Sequence, residues 1–350
     1  MSALIQDIQL QVPSSGTSKF TSKDLQSDQE VRWCPGCGDY SILAQAQRII
    51  PDLGIPKHKI VFVSGIGCSS RFPYYMNTYG FHSIHGRATS IASGVKLAHP
   101  DLSVWVITGD GDGMSIGGNH LIHLLRRNID INILLFNNQI YGLTKGQYSP
   151  TSEKGKITKS TPFGSLDYPF NPISLALGAS TTFAARTLDR DQKHLQSVLK
   201  RAAEHVGTSF VEIYQNCSVF NDGAFVQFTD KETKEDNVVF LEHGKPLIFG
   251  KEKDKGIRLN GFTPEIISLN DGTHSVNDLL VHNERDTTLS FILSDMTYHS
   301  HLPRPIGVFL SIERPTYESE MQRQIEFAKE TQGEGNIETL LNSGGIWTIQ

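Results

Sequence analysis

Two groups of residues in this chain have the types and spacing to do chemistry. The first is Gly109-Asp110-Gly111-Asp112-Gly113, which directly follows the β-branched run VWVIT. A helix-length segment and a second apolar run, INILLF, then lead to Asn137-Asn138. A strand ending at Asp110 delivers a carboxylate to a sheet edge, where it is a hard oxygen ligand for Mg²⁺. The flanking glycines let backbone approach a diphosphate, whose charge is met by the start of the following helix. Asn138 stands 28 residues after Asp110. One strand–helix–strand unit returns its amide oxygen to the same edge, and the carbonyl of Ile140 can be a third ligand. Mg²⁺ takes octahedral oxygen ligation, so phosphate and water complete the set. Just past this loop, in IYGLTKGQ, lie Gly142, Thr144 and Lys145. The Thr144 hydroxyl can bond a diphosphate, and Lys145 can face an anionic substrate or stand in solvent as an ordinary loop lysine.

The second group is the four cysteines, at 34, 37, 68 and 217. Cys34-Pro-Gly-Cys37 sets two thiols a turn apart before a helix. Cys68 follows the strand-like run IVFVS, and Cys217 follows FVEIY. Four thiolates can hold Zn²⁺ or a [4Fe–4S] cluster. A structural zinc site commonly uses two compact pairs, and here only one pair is compact. No thioredoxin-like pattern surrounds CPGC to suggest a redox dithiol. Four unrelated buried cysteines are the remaining reading.

The elements that must position these residues follow from periodicity. The runs at 60–64, 104–108, 131–136 and 210–214 are nearly continuous in apolar residues. That suits strands buried on both faces of a parallel sheet. Helix candidates lie between them at 40–50, 87–99, 115–127 and 189–205, the third closing on Arg126-Arg127, which favour a helix C-terminus. The alternation predicts an α/β fold with a doubly wound, mostly parallel sheet and ligands beyond the strands' carboxyl ends. The expected division is a loose polar lead-in at 1–30, an α/β domain at 31–225 and an extension at 226–350. The extension reads as hairpins and loops, with a helix near 315–330 carrying Met321, Ile325 and Ala328 on one face.

Composition narrows the function classes. The 350 residues are 38% hydrophobic and 20% charged, with 32 basic and 37 acidic side chains and a net charge of −5. Without clustered Lys and Arg there is no nucleic-acid footprint. No apolar run approaches the roughly 18–20 residues needed to cross a bilayer. Residues 1–20 lack the apolar core of a secretion signal. The expectation is a cytoplasmic protein that contacts neither membrane nor nucleic acid, with thiols kept reduced.

GDG followed after 25 residues by NN resembles the thiamine-diphosphate signature of transketolase-like and decarboxylase-like enzymes. In order, WCPGCGDY, SGIGCSSR, IHGRA, ITGDGD and NNQIYGLTKGQ resemble the β subunit of 2-oxoacid:ferredoxin oxidoreductases, close to the bacterial 2-oxoglutarate branch. The resemblance covers roughly residues 30–225; FNDGAF, EHGKPLIFGK and ERPTYE are similar more loosely. It implies one [4Fe–4S] cluster on Cys34, Cys37, Cys68 and Cys217. It implies thiamine diphosphate along Ile66, Gly67, Cys68 and Ser69, held by Gly109, Asp110, Gly111, Asp112, Asn138, Gly142, Leu143 and Thr144. Mg²⁺ would sit on Asp110, Asn138 and Ile140. His85 would lie near the cofactor, with His82 as the other candidate, and Arg71 and Lys145 would meet the substrate's carboxylates. The implied reaction is coenzyme A-dependent oxidative decarboxylation of a 2-oxoacid, 2-oxoglutarate to succinyl-CoA and CO₂ in first place, with the thiazolium as electron sink. The bacterial-ferredoxin run CxxCxxCxxxCP is absent, so electrons would pass from the single cluster to an external ferredoxin. The chain has room for one thiamine-type domain. An α subunit would therefore supply the activating glutamate, and the β subunit alone would be inactive. The other readings are a pyruvate or broad 2-oxoacid oxidoreductase, a non-oxidative thiamine-dependent decarboxylase with structural zinc, and a non-catalytic metal-binding scaffold.

Overall fold

The computed structural model describes residues 20–349. Residues 1–19 of the expected lead-in, and with them the reading of the first twenty residues as lacking a secretion signal, lie outside the described residues. Eleven strands are present among those described: β1 (Ile60–Ser64), β2 (Tyr79–His82), β3 (Ser103–Gly109), β4 (Asn132–Asn137), β5 (Phe183–Leu188), β6 (Ser209–Tyr214), β7 (Val238–Leu241), β8 (Ile248–Phe249), β9 (Lys255–Asn260), β10 (Thr263–Ser268) and β11 (Arg304–Ser311). The helices are α1 (Asp39–Ile49), α2 (Ala88–Ala98), α3 (Asp110–Met114), α4 (Gly118–Arg127), α5 (Pro172–Gly178), α6 (Gln192–Glu204), α7 (Val226–Thr229), α8 (Lys234–Asn237), α9 (Thr287–Asp295), α10 (Tyr317–Gln332) and α11 (Ile337–Leu341). Eight strands form one sheet in the order β2-β1-β3-β4-β6-β5-β11-β7, and β8–β10 form a small antiparallel sheet. Every pairing in the large sheet is parallel except β11 with β5.

The nearly continuous apolar runs have a direct explanation in this sheet. On β1, Val61 and Val63 pack into the layer under α2, α4 and α5, while Ile60 and Phe62 pack into the layer under α1 and α6. β3 and β4 alternate in the same way, with Val106 and Ile133 on one side and Ile107 and Leu134 on the other. Both faces are covered, so neither register position can be polar. α4 buries Leu121, Leu124 and Leu125 and ends at Asn128, whose left-handed backbone (φ 54°) closes the helix before β4.

The structure departs from the expected pattern in two places. The helix expected at 115–127 begins only at Gly118, as α4, and the Asp110–Met114 motif before it forms a short helix of its own, α3. The C-terminal part is woven into the same sheet, since β11 pairs with β5 and β7 pairs with β11. α10 occupies the expected helical stretch, capped by Thr316, whose side chain accepts from Ser319 N. Its apolar face is not buried within this chain, for Ile325 is 43% exposed.

Candidate functional site

β1, β3, β4 and β6 are neighbours in the sheet, and their carboxyl ends carry the 66–69 turn, Asp110, Asn138 and Cys217 to one edge. The chain turns from β1 to β2 on one side and to β3 on the other, which makes this edge the crevice such sheets use for ligands. A cavity of about 50 Å³ lies there. It is lined by the 66–69 turn, His85, the 109–112 motif, Asn138, Ile140, Gly142, Leu143 and Thr144, together with Phe136 and Tyr141. All the residues expected to bind a cofactor thus meet around one space.

Asp110 is 2% exposed. Burial pushes its carboxyl up to about 6, against hydrogen bonds from Ser149 and Thr151 that hold it down. Asn138 is oriented on both sides: its Nδ2 donates to Gln215 Oε1 (2.8 Å) and its Oδ1 accepts from Ile140 N (3.1 Å). Between these two ligands' carriers, Gln139 adopts a left-handed backbone (φ 56°), which turns Ile140 back toward the sheet edge. Gly111 packs flat against the Tyr141 ring, and Tyr141 Oη donates to the Gly111 carbonyl (2.9 Å). One hard carboxylate, one amide oxygen and a backbone carbonyl thus border the same cavity, a donor set that fits Mg²⁺ with a phosphate.

Asp112 lines the cavity, but its carboxylate is engaged within the protein. It accepts from Thr108 Oγ1 (2.7 Å), Ile66 N (3.1 Å) and Gly86 N (2.8 Å), tying the tips of β1 and β3 to the turn before α2. Gly65 must be glycine there, because a Cβ would stand 2.0 Å from Asp112 Oδ2. His85 Nδ1 lies 2.7 Å from Asp112 Oδ1, at an angle too skewed for a hydrogen bond, and its side chain is 43% exposed. His82 is not at the cavity. Its Nδ1 contacts Ser70 O (2.9 Å) and Ser64 Oγ (3.1 Å) and holds the 69–75 turn. Thr144 donates its hydroxyl to Gln147 within its own loop.

A second cavity, of about 220 Å³, adjoins the first through Cys68, Asn138, Gly142 and Leu143. Cys34, Cys37, Cys68 and Cys217 all line it, with Arg71 and Lys145 on its wall. Distant segments are drawn together by Gly38 N donating to Asn216 O (3.0 Å) and Trp33 Nε1 donating to Cys68 O (2.7 Å). A Cβ on Gly142 would touch Cys68 Sγ at 3.5 Å and Cys217 Sγ at 3.6 Å, so this glycine sits against both sulfurs. Burial pushes the Cys68 thiol up to about 12, with the nearby Asp39 carboxylate adding to it, and burial also raises Cys37. Thiols so disfavoured as free anions become thiolates only beside a strong positive charge such as a metal. No three His, Cys, Asp or Glu side chains among the described residues are gathered closely enough to hold a metal ion. Arg71 is half-buried and its Nε has no partner.

Sequence reasoning missed Tyr141, Gln215, Ser149, Thr151 and Asp39. Asp39 and Tyr141 lie inside quoted motifs, WCPGCGDY and NNQIYGLTKGQ; Gln215, Ser149 and Thr151 are polar loop or strand-end residues whose partners lie elsewhere in the chain.

Residues 65–213 match the family model described as thiamine pyrophosphate enzyme, C-terminal TPP binding domain. The chain is 53% identical over 331 residues to the 2-oxoglutarate oxidoreductase subunit KorB of Mycobacterium tuberculosis, covering 93% of this chain and 88% of that protein. It is 46% identical over 190 residues to the 2-oxoacid:ferredoxin oxidoreductase 1 subunit beta of Aeropyrum pernix, covering 54% of this chain and 60% of the relative. Among solved structures it resembles the 2-oxoglutarate:ferredoxin oxidoreductase from Magnetococcus marinus with 2-oxoglutarate, coenzyme A and succinyl-CoA bound. The TM-score is 0.73 and the identity 31%, over 93% of this chain and 96% of that one.

Proposed function

The chain belongs to the β subunits of the 2-oxoacid:ferredoxin oxidoreductases, and from that membership we propose that it carries out the coenzyme A-dependent oxidative decarboxylation of 2-oxoglutarate, with ferredoxin as electron acceptor. The observation that carries the proposal is the meeting of two cavities at one sheet edge. One is bordered by Asp110, Asn138 and Ile140, and the adjoining one is ringed by four cysteines. Thiamine diphosphate supplies an electron sink at the carbon that loses CO₂.

The chain's own residues bind and orient. Asp110 Oδ1, Asn138 Oδ1 and the Ile140 carbonyl would hold Mg²⁺ on the diphosphate. Ile66, Gly67 and Ser69 would lie along the cofactor, with His85 at its side. Arg71 and Lys145, facing the joined cavities, would meet the two carboxylates of a dianionic substrate. Cys34, Cys37, Cys68 and Cys217 would hold one [4Fe–4S] cluster. A structural zinc site commonly uses two compact cysteine pairs, and only Cys34 and Cys37 form such a pair here, which favours the cluster. An α subunit would complete the site. Phe163 is wholly exposed, and Leu166 and Tyr168 are nearly so, an apolar surface of the kind a partner subunit covers. No described helix is long and apolar enough to cross a membrane, in keeping with work in the cytoplasm beside a ferredoxin.

The test is anaerobic copurification with the partner subunit, metal and cofactor analysis, and a screen of 2-oxoacids with coenzyme A. A brown complex that bleaches on addition of 2-oxoglutarate and coenzyme A is expected. A colourless, zinc-bearing complex that releases CO₂ without reducing an acceptor would instead establish the non-oxidative reading. Pyruvate turning over faster than 2-oxoglutarate would overturn the substrate assignment.

A further inference from the structure

The carriers of the metal ligands are gripped by a loop that no cofactor motif includes. Asp110 Oδ2 accepts hydrogen bonds from Ser149 Oγ and from Thr151 Oγ1, the latter at 2.6 Å. Neither hydroxyl engages Oδ1. Ser149 and Thr151 are each 2% exposed and Ser152 is 3% exposed, so water does not compete for these bonds. Thr151 Oγ1 also lies 2.9 Å from Asn137 Oδ1, but it has one proton, and the charged acceptor takes it. Asn137 Oδ1 is satisfied by Gln139 N at 3.2 Å.

The same turn holds the other half of the site. Ser152 Oγ donates to the Gln139 carbonyl at 2.6 Å. Gln139 is the non-glycine residue in a left-handed conformation between Asn138 and Ile140. Such a backbone costs on the order of 1 kcal/mol or more and persists where surrounding groups over-determine it. Here both sides of the residue are tied, the N–H by Asn137 and the carbonyl by Ser152. Asn137 is itself fixed, because its Nδ2 donates to Glu212 Oε1 (2.7 Å) while Arg186 Nε occupies Glu212 Oε2 (2.7 Å). A carboxylate only accepts, so the Asn137 amide must turn its oxygen toward Gln139 and Thr151.

We infer that the turn Ser149-Pro150-Thr151-Ser152 is the positioning element of the metal site: Ser149 and Thr151 occupy Asp110 Oδ2 and reserve Oδ1 for the cation, while Ser152 fixes the bend that aims Asn138 and Ile140. This rests on the reading of Asp110, Asn138 and Ile140 as Mg²⁺ ligands. Groups that orient a metal's ligands typically account for about 10–100-fold in metal affinity.

The test uses the complex with its partner subunit. Equilibrium dialysis measures thiamine diphosphate binding against magnesium chloride, and Tm is recorded with and without Mg²⁺. Thr151→Val and Ser152→Ala are expected to raise the Mg²⁺ half-saturation by about 10–100-fold and to remove the Mg²⁺-dependent rise in Tm. Thr151→Ser, which keeps the hydroxyl, is expected to stay close to wild type. Unchanged half-saturation in Thr151→Val and Ser152→Ala, with Tm lowered equally in both conditions, would mean that the turn is merely structural and would overturn the inference. Asp110→Asn separates the two layers. If it abolishes Mg²⁺-dependent binding while the hydroxyl variants are neutral, only the positioning role fails. If Asp110→Asn is itself neutral, the ligand reading fails and takes this inference with it.

Discussion

Gly111→Ala should damage the metal site through a single methyl group. A Cβ on Gly111 would lie 2.3 Å from Tyr141 Cε1 and 2.6 Å from Cζ, where ordinary contact begins at 3.4 Å. The ring must therefore retreat by about 1.1 Å, and it cannot slide freely, because its hydroxyl donates to the Gly111 carbonyl and its N–H donates to Gln147 O. Overpacking of this kind costs about 1–3 kcal/mol, and loss of the hydroxyl bond adds about 1 kcal/mol. The better helix propensity of alanine returns about 1 kcal/mol. The net expectation is about 1–3 kcal/mol of destabilisation, with a larger effect on the metal. Tyr141 follows Ile140 directly, and a metal ligand displaced by more than about 0.2 Å leaves the range of good coordination. The assay is thiamine diphosphate binding against Mg²⁺ concentration in the complex, for Gly111→Ala and for Gly111→Ala with Tyr141→Ala. The single variant should need at least about tenfold more Mg²⁺, and the second substitution, by emptying the space, should recover much of the loss. Wild-type Mg²⁺ dependence in Gly111→Ala, or no recovery in the double variant, would refute the reasoning.

Three further outcomes are expected. Cys68→Ser should lose iron and the brown colour of the complex while retaining thiamine diphosphate; unchanged iron content, measured by metal analysis, would remove Cys68 from the cluster. Arg71→Ala should raise the KM for 2-oxoglutarate by about 10–100-fold, the worth of a charged hydrogen bond, with kcat much less affected, and an unchanged KM in steady-state kinetics would exclude its contact with substrate. His194 is held down to about 4 by burial, its Nδ1 placed 2.8 Å from Thr187 Oγ1. The unfolded chain takes up this proton below about 6.5 and the folded one only near 4, so the unfolded state binds more protons between those values. Stability should therefore fall as pH drops through that window, by up to about 3 kcal/mol, and thermal midpoints of His194→Gln should fall less steeply; parallel curves would refute the assignment.

The local chemistry of this protein was legible in its sequence. A both-faces-buried strand is written in consecutive residues, as in IVFVS, and a motif at the tip of such a strand inherits its place at the sheet edge. That is why residues as far apart as Ile66, Asp110 and Leu143 could be assigned to one cavity from spacing and resemblance. Tertiary structure alone decided what reaches those tips from elsewhere. β5 reads FAARTL, where two alanines and Arg186 leave too few large or β-branched apolar residues to read as a strand, and only packing shows Arg186 fully buried against Glu212 of β6. β11 and β7 join the sheet from beyond residue 226, through backbone pairing that no periodicity encodes. Ser149 and Thr151 meet Asp110 from 39 and 41 residues away. A hydroxyl in a loop has no pattern of its own; its partner is fixed only when the chain has packed and water has left.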